Sequence, residues 1–202
     1  MQKKTPTTDR RIVRTREALR CAFHTLILEK GYDAVTVNDI VQRANVARST
    51  FYAHHAGKES VLLDGIATLR EFLLKVQRES REKKGAPTAL FDFSGALFEH
   101  AADHRELYHA LMGDRGGAVM ARSFRQMLDR LMRRNLTESL ATDRESSVIP
   151  LEAAVRYSVE ALMGVLTWWV EAKPQLPPSE GDRVFRRLVI PSLPANGYGS
   201  GK

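Results

Sequence analysis

Apolar residues recur every three or four positions along almost the whole chain. No run shows the period of two that a strand requires. Ile12, Leu19, Phe23, Leu26 and Ile27 share one side of a helix from Arg10 to Lys30, which Gly31 ends as a C′ glycine would. Leu62, Ile66, Leu69, Leu73 and Val76 mark a long helix over Lys58–Lys83. Further helices are expected over 88–101, 103–112 and 117–141, and from Pro150 to about Ala172. A last one, with Ser179 and Asp182 as its cap, ends near Pro191. The pattern predicts an all-α chain. Its longest apolar run, Ala161–Val170, is too short to cross a bilayer. The charged start, Met1-Gln-Lys-Lys, reads as lacking a signal peptide, so a cytoplasmic protein without membrane contact is expected.

The charge is unevenly spread. Residues 1–60 hold 11 Lys/Arg against 6 Asp/Glu, whereas residues 61–202 hold 20 against 18. Most of the excess of +7 therefore lies in the first third. This pattern fits a polyanion-binding head on a body with another task. The single Cys21 excludes an intrachain disulfide framework, and its place in the first helix suggests a small core residue.

The segment 36–54 carries the sharpest local signal. Thr36-Val-Asn-Asp39 has the form of a capping box, and Val37, Ile40, Val41 and Ala44 give two helical turns an apolar stripe. Asn45-Val46 supplies a tight turn, since asparagine tolerates the left-handed backbone. A short helix then runs from Ala47 to about His54. Its buried side is thin (Val46, Phe51) and its other side polar (Arg48, Ser49, Thr50, Tyr52). Such a helix-turn-helix can lay its second helix in a DNA major groove. Arg48 has the reach and fork for guanine O6/N7, Ser49 and Thr50 suit close approach to base edges, and Tyr52, His54 and Lys58 suit phosphates.

Gly31-Tyr-Asp-Ala-Val-Thr-Val-Asn-Asp-Ile40, followed by Ala44-Asn-Val-Ala-Arg-Ser-Thr-Phe-Tyr-Ala-His-His-Ala-Gly-Lys-Glu59, resembles the DNA-binding signature of TetR-family transcriptional regulators over about residues 10–62. The resemblance implies a homodimer in which three helices bind DNA. A fourth links them to a helical ligand-binding and dimerisation domain, and a small ligand relieves repression. It implies an arrangement of basic arm (1–9), helix-turn-helix domain (10–57), body (58–193) and flexible tail (194–202). It also implies Thr36, Arg48, Ser49, Thr50, Tyr52, His54 and Lys58 as DNA contacts, with Lys3, Lys4, Arg10 and Arg11 as sequence-tolerant additions. Three positions depart from the family pattern: Asn45 stands for glycine, Ala47 for a capping Ser or Thr, and His55 for phenylalanine. Ala47 cannot cap, at a cost of roughly 0.5–2 kcal/mol, and His55 suggests a looser or titratable entry to the fourth helix.

The body resembles the C-terminal domain of one TetR subgroup through Leu90–Phe98, Leu107-Tyr108 and the Gly164-Val-Leu-Thr-Trp-Trp-Val170 block. In the family the last two long helices build the dimer interface. Leu151, Val155, Val159, Leu162, Leu166 and Trp169, with Val184, Phe185, Leu188 and Val189, are the stripes available for it, or equally for the subunit's own core. Trp168 and Trp169 stand about 100° apart on a helix and cannot share a face. Candidates for an effector pocket are Phe93, Leu97, His100, Tyr108, Met112, Phe124, Met163 and Trp168.

No reaction chemistry emerges from the rest. His100 and His104 have the spacing of two metal ligands but lack a zincin glutamate and a third ligand, and read as a solvent-exposed pair. Ser80-Arg-Glu-Lys83 lacks the companion motifs of a Ser-x-x-Lys nucleophile. No cofactor is expected. The reading is a ligand-responsive repressor bound as a homodimer to a palindromic operator in double-stranded DNA. The alternative is a helical small-molecule binding protein or enzyme whose amino-terminal module mediates protein contacts. A convergent acid/base or metal set would favour that alternative, and the sequence offers none.

Overall fold

The computed structural model describes residues 6–84, 90–112, 117–139 and 149–193. These form nine α-helices: α1 (Pro6–Lys30), α2 (Val37–Arg43), α3 (Arg48–His54), α4 (Lys58–Lys84), α5 (Phe93–Asp103), α6 (Arg105–Met112), α7 (Gly117–Ser139), α8 (Leu151–Glu171) and α9 (Pro178–Val189). A 3₁₀ turn over Ile190–Ser192 follows, and no strand occurs among the described residues. The all-α expectation holds. Lys3, Lys4 and the 194–202 tail lie outside the described residues.

Local chemistry accounts for most boundaries. Gly31 sits at φ 81°, where a side chain would be strained, and its N–H returns to the Ile27 carbonyl at 2.8 Å. Three expectations need correction. α1 begins at Pro6, four residues earlier than the apolar pattern indicates, so the segment to Asp9 is helix and not arm. α5 begins at Phe93 and not at 88, because Phe91 adopts φ 59° and turns the chain. The Phe91 N–H donates to Asn135 Oδ1 at 3.2 Å, and its carbonyl accepts the Ser94 hydroxyl at 2.7 Å. Ser179 and Asp182 do not cap α9. Its cap residue is Pro177, while Asp182 accepts a hydrogen bond from Ser94 across the α5–α9 contact.

α1, α2 and α3 form the head. Leu19, Phe23 and Ile27 of α1, Ile40 of α2, Phe51 of α3 and Val61 of α4 are buried together in its core. In the body α7 packs on α8, α9 lies against α5 and α8, and α4 runs along α7 and α5. α4 also touches α1, and α6 bridges α1 to α7 and α8. Head and body thus share two seams, α1–α4 and α1–α6.

Trp169 is the centre of the body. It is fully buried, meets Phe98 edge-to-face at 5.5 Å, and donates its indole N–H to the Pro177 carbonyl at 3.1 Å. The Arg105 guanidinium stacks 4.5 Å above its ring while donating to the backbone carbonyls of Trp169 and Val170. Gly181 is forced by this packing, because a Cβ there would come within 2.5 Å of the Phe98 ring.

Candidate nucleic-acid interface and effector cavity

The helix-turn-helix is built as its residues suggest. Thr36 caps α2 through a complete capping box: Asp39 N–H donates to the Thr36 hydroxyl, and Thr36 N–H returns to the Asp39 carboxylate at 2.7 Å. The Lys30 ammonium, 2.6 Å away, and the Thr36 hydroxyl hold the Asp39 carboxyl well below the usual carboxylate range. Arg43 clamps α2 to α1 by a two-pronged pair with Glu29 at 2.8 and 2.7 Å. Asn45 takes φ 52°, and the Val46 N–H closes the turn on the Val41 carbonyl at 3.1 Å.

α3 starts without a side-chain cap, as Ala47 dictates. Phe51 pins it to the head core, and the opposite face is open: Arg48 and Ser49 are exposed, Tyr52 is 49% exposed, and Thr50 and His54 are half-buried. The Arg48 guanidinium lies 5.7 Å from the Tyr52 ring and donates to its hydroxyl at 3.4 Å. All five are polar and at least partly exposed. Arg10 and Arg11 are exposed on α1.

Two predicted contacts have other duties. The Thr36 hydroxyl is engaged with Asp39, to which it also donates at 2.6 Å. The Lys58 ammonium donates to the Tyr32 and Asp33 carbonyls at 2.9 and 3.0 Å and sits 4.7 Å from the Tyr32 ring. It clips the α1–α2 turn to the start of α4. Lys58→Met is expected to lower stability by about 1–3 kcal/mol, the range for hydrogen bonds to a charged group with some solvent relief. The salt dependence of DNA binding should then stay unchanged, whereas loss of a phosphate contact would reduce its slope. Thermal melts and titrations at two salt concentrations separate these. His55 is buried against Phe51, ring centroids 5.8 Å apart, and burial pushes its pKa down. Its ring packs into the core of the head.

A cavity of about 460 Å³ lies where head and body meet, walled by α1, α4, α5, α6 and α7. Of the expected pocket residues, His100, Tyr108 and Phe124 line it. Phe93 and Leu97 do not: both are fully buried in the core. Met163 is buried on α8 away from the lining, and the Met112 side chain lies outside the described residues. Trp168 is 45% exposed on α8 and is not part of this cavity's lining. The head's contribution escaped the sequence reading. α1 supplies Glu17, Arg20, Cys21, His24 and Ile27, and α4 supplies Gly65, Ile66 and Phe72 among others. Cys21 is thus exposed to this space and is not a core residue. Only the outward face of α1 signals this, since it carries Cys21 and His24 among arginines.

The cavity's polar groups are mutually arranged. His100 Nδ1 and the Tyr108 hydroxyl are 3.1 Å apart, and the His100 and His104 rings lie 4.6 Å apart. His104 is exposed, but His100 is half-buried, so the two are not a solvated pair. Burial, followed by the charge of neighbouring His104, pushes His100 down to about 4. Burial, then Arg20, pushes His24 down to about 4 as well. Both imidazoles are neutral at pH 7. Burial pushes the Tyr108 phenol upward. No group of metal-binding geometry occurs among the described residues, and no described helix is long and apolar enough to cross a membrane.

The proposed dimer stripes sort by burial. Val155, Leu162, Leu166, Trp169, Phe185 and Val189 are fully buried in the subunit, Val159 is nearly so, and Leu151 and Val184 are half-buried against the core. Most of these side chains fill the subunit's own interior. Leu188 alone of that set is exposed, at 55%. Tyr157, Gly164 and Trp168 are exposed on α8, with Tyr157 reaching Ser192 at 3.2 Å.

Two family models match the chain. "Bacterial regulatory proteins, tetR family" covers residues 22–64, and "Transcriptional regulator C-terminal region" covers residues 89–190, half of the 202-residue chain. The chain belongs to the TetR family of transcriptional regulators. It is 51% identical over 55 residues to the HTH-type transcriptional regulator YxbF of Bacillus subtilis, which is 27% of this chain and 14% of that protein. It is 31% identical over 85 residues to IcaR of Staphylococcus aureus, the negative transcriptional regulator of the biofilm operon icaADBC, covering 42% of this chain and 44% of that protein. The matched stretches thus span less than half of either relative. The fold extends further. The fatty acid degradation regulator FadR from Bacillus halodurans superposes with TM-score 0.70 at 19% identity, covering 96% of this chain and 99% of that one. FadR from Thermus thermophilus, a TetR-family transcriptional repressor in complex with lauroyl-CoA, superposes at 0.62 with 22% identity over 93% and 96% of the two chains.

Proposed function

We propose that this TetR-family regulator is a cytoplasmic homodimeric repressor. It places α3 of each subunit in successive major grooves of a palindromic operator and is released by a small molecule bound in the cavity between head and body. The observation that carries the reading is the polar face of α3. Arg48, Ser49, Thr50, Tyr52 and His54 stand out from a helix whose other side is anchored by fully buried Phe51. A recognition helix must be rigid and its outer side chains free, and the capped α2 with its Arg43–Glu29 clamp supplies the rigidity.

Two such helices need a spacing of one DNA turn, about 34 Å, which a dimer fixes. Tyr157 and Trp168 on α8 and Leu188 on α9 are exposed large apolar side chains, which favours pairing through those helices. α1 walls the cavity on the head side and α4 on the body side. A ligand wedged there would shift α1 against α4 and so change the spacing of the two α3 helices. FadR of Thermus thermophilus, crystallised with lauroyl-CoA, supports the idea that this fold can accommodate an effector.

A binding selection from random duplexes tests the reading. The wild-type chain is expected to enrich a palindrome. The double variant Trp168→Glu, Leu188→Glu is expected to sediment as a monomer and to lose that enrichment. Failure of the wild type to select any sequence, with binding that vanishes as salt rises, would leave only backbone electrostatics and overturn it.

A further inference from the structure

Among the described residues, Arg20 is the only arginine or lysine that lines the cavity, and it pairs with no carboxylate. Its guanidinium donates to the Thr68 hydroxyl at 3.2 Å. Asp64, one turn earlier on α4, is turned instead toward Arg16, 3.8 Å away. Glu17 is the one carboxylate of the lining, and it is exposed to water, where its field is screened. Arg20 is half-buried. The charge of Arg20 is felt inside the cavity, since it helps keep His24 neutral. Gly65 keeps this corner open. A Cβ there would stand 3.4 Å from Arg20 Cδ and 3.8 Å from His24 Nε2, so any larger side chain would fill the space between α1 and α4.

Apart from Thr68, His24, His100, His104 and Tyr108, most of the wall is apolar, with Ile66, Leu69, Phe72, Leu107, Met120 and Phe124 prominent. A space of this size with one unpaired cation suits an apolar molecule carrying one negative charge. A cationic ligand would meet Arg20 with no buried carboxylate to offset it. A polyanion would find one permanent cation and the Glu17 carboxylate at the edge.

We infer that the cavity binds a small apolar organic monoanion, its acid group on Arg20 and its hydrocarbon body against Ile66, Leu69, Phe72 and Phe124. The inference rests on the effector reading above and names the ligand class. Arg20 belongs to the head, while most of the apolar wall belongs to the body. The ligand therefore ties α1 to α4–α7 through its two ends, and its charge decides whether α1 is engaged.

A matched pair of fluorescent probes tests this: 1-anilinonaphthalene-8-sulfonate and its uncharged counterpart N-phenyl-1-naphthylamine, titrated into the full chain without DNA. Both should bind saturably, one per chain. Arg20→Met should weaken the sulfonate at least tenfold and change the uncharged probe by less than twofold, which also shows that the variant is folded. Gly65→Leu should abolish both, while Gly65→Ala should retain them because the flexible Arg20 side chain can yield. Equal affinity of the sulfonate for wild type and Arg20→Met would overturn the role of Arg20. Undiminished binding of both probes to Gly65→Leu, or no binding to wild type, would overturn the site. Operator release by the sulfonate is then measured separately. Binding without release would overturn the effector reading and leave the anion site standing.

Discussion

Arg48→Ala is expected to weaken binding to the selected palindrome by roughly 30-fold to 10⁴-fold. A bidentate arginine–guanine contact is worth about 1–3 kcal/mol, and a dimer makes it twice. The structure favours the upper part of this range for geometric reasons. Arg48 is held from below by Tyr52, through the ring at 5.7 Å and the hydroxyl at 3.4 Å, so its fork is partly ordered before DNA arrives. Preference for guanine at one position of each half-site should relax at the same time. Arg48→Lys should rescue charge but not preference, because an ammonium lacks the two-pronged geometry. Anisotropy titrations against the selected duplex and a shuffled one, at two salt concentrations, provide the check. An Arg48→Ala affinity within twofold of wild type would show that α3 does not read bases.

The largest effect on stability is expected from Trp169→Ala, about 3–5 kcal/mol, the range for removing a large buried aromatic side chain. Three losses combine. A cavity opens against Phe98, the Pro177 carbonyl loses its indole donor, and Arg105 loses the ring over which it stacks. For a chain of this length each kcal/mol moves the thermal midpoint by roughly 2–4 °C, so a fall of about 6–20 °C should appear in a calorimetric scan. Trp168→Ala, one residue earlier, should leave the monomer's midpoint nearly unchanged, because that ring is 45% exposed. A similar fall for both would refute the assignment of faces on α8.

That pair of tryptophans shows where sequence reading stops. Periodicity places Trp168 and Trp169 on different faces, and the structure agrees. It gives no sign of which face looks inward. The reading set Trp169 toward a partner and Trp168 toward a pocket, whereas the structure buries Trp169 inside the subunit and leaves Trp168 exposed. The reason is that α8 is apolar on two sides, and only its packing on α7 and α9 selects the stripe from Leu151 to Trp169 for the interior. The same limit applies to Phe93 and Leu97, which are apolar enough for a pocket yet sit wholly within the core.

The head was legible almost residue by residue, because its determinants are local. A capping box spans four residues, a left-handed asparagine closes a two-residue turn, and one buried phenylalanine orients a seven-residue helix. Lys58 is the exception: its partners Tyr32 and Asp33 lie 26 and 25 positions away. The cavity depends wholly on such distant meetings. Arg20, His24, Gly65, Phe72 and His100 stand on three helices and have no common spacing. The helices, the turn and the exposed side of α3 follow from interactions within a few residues. Which stripes became core, which became surface, and where the empty space between head and body lies depend on how separate helices fill volume against one another, and no local pattern encodes that.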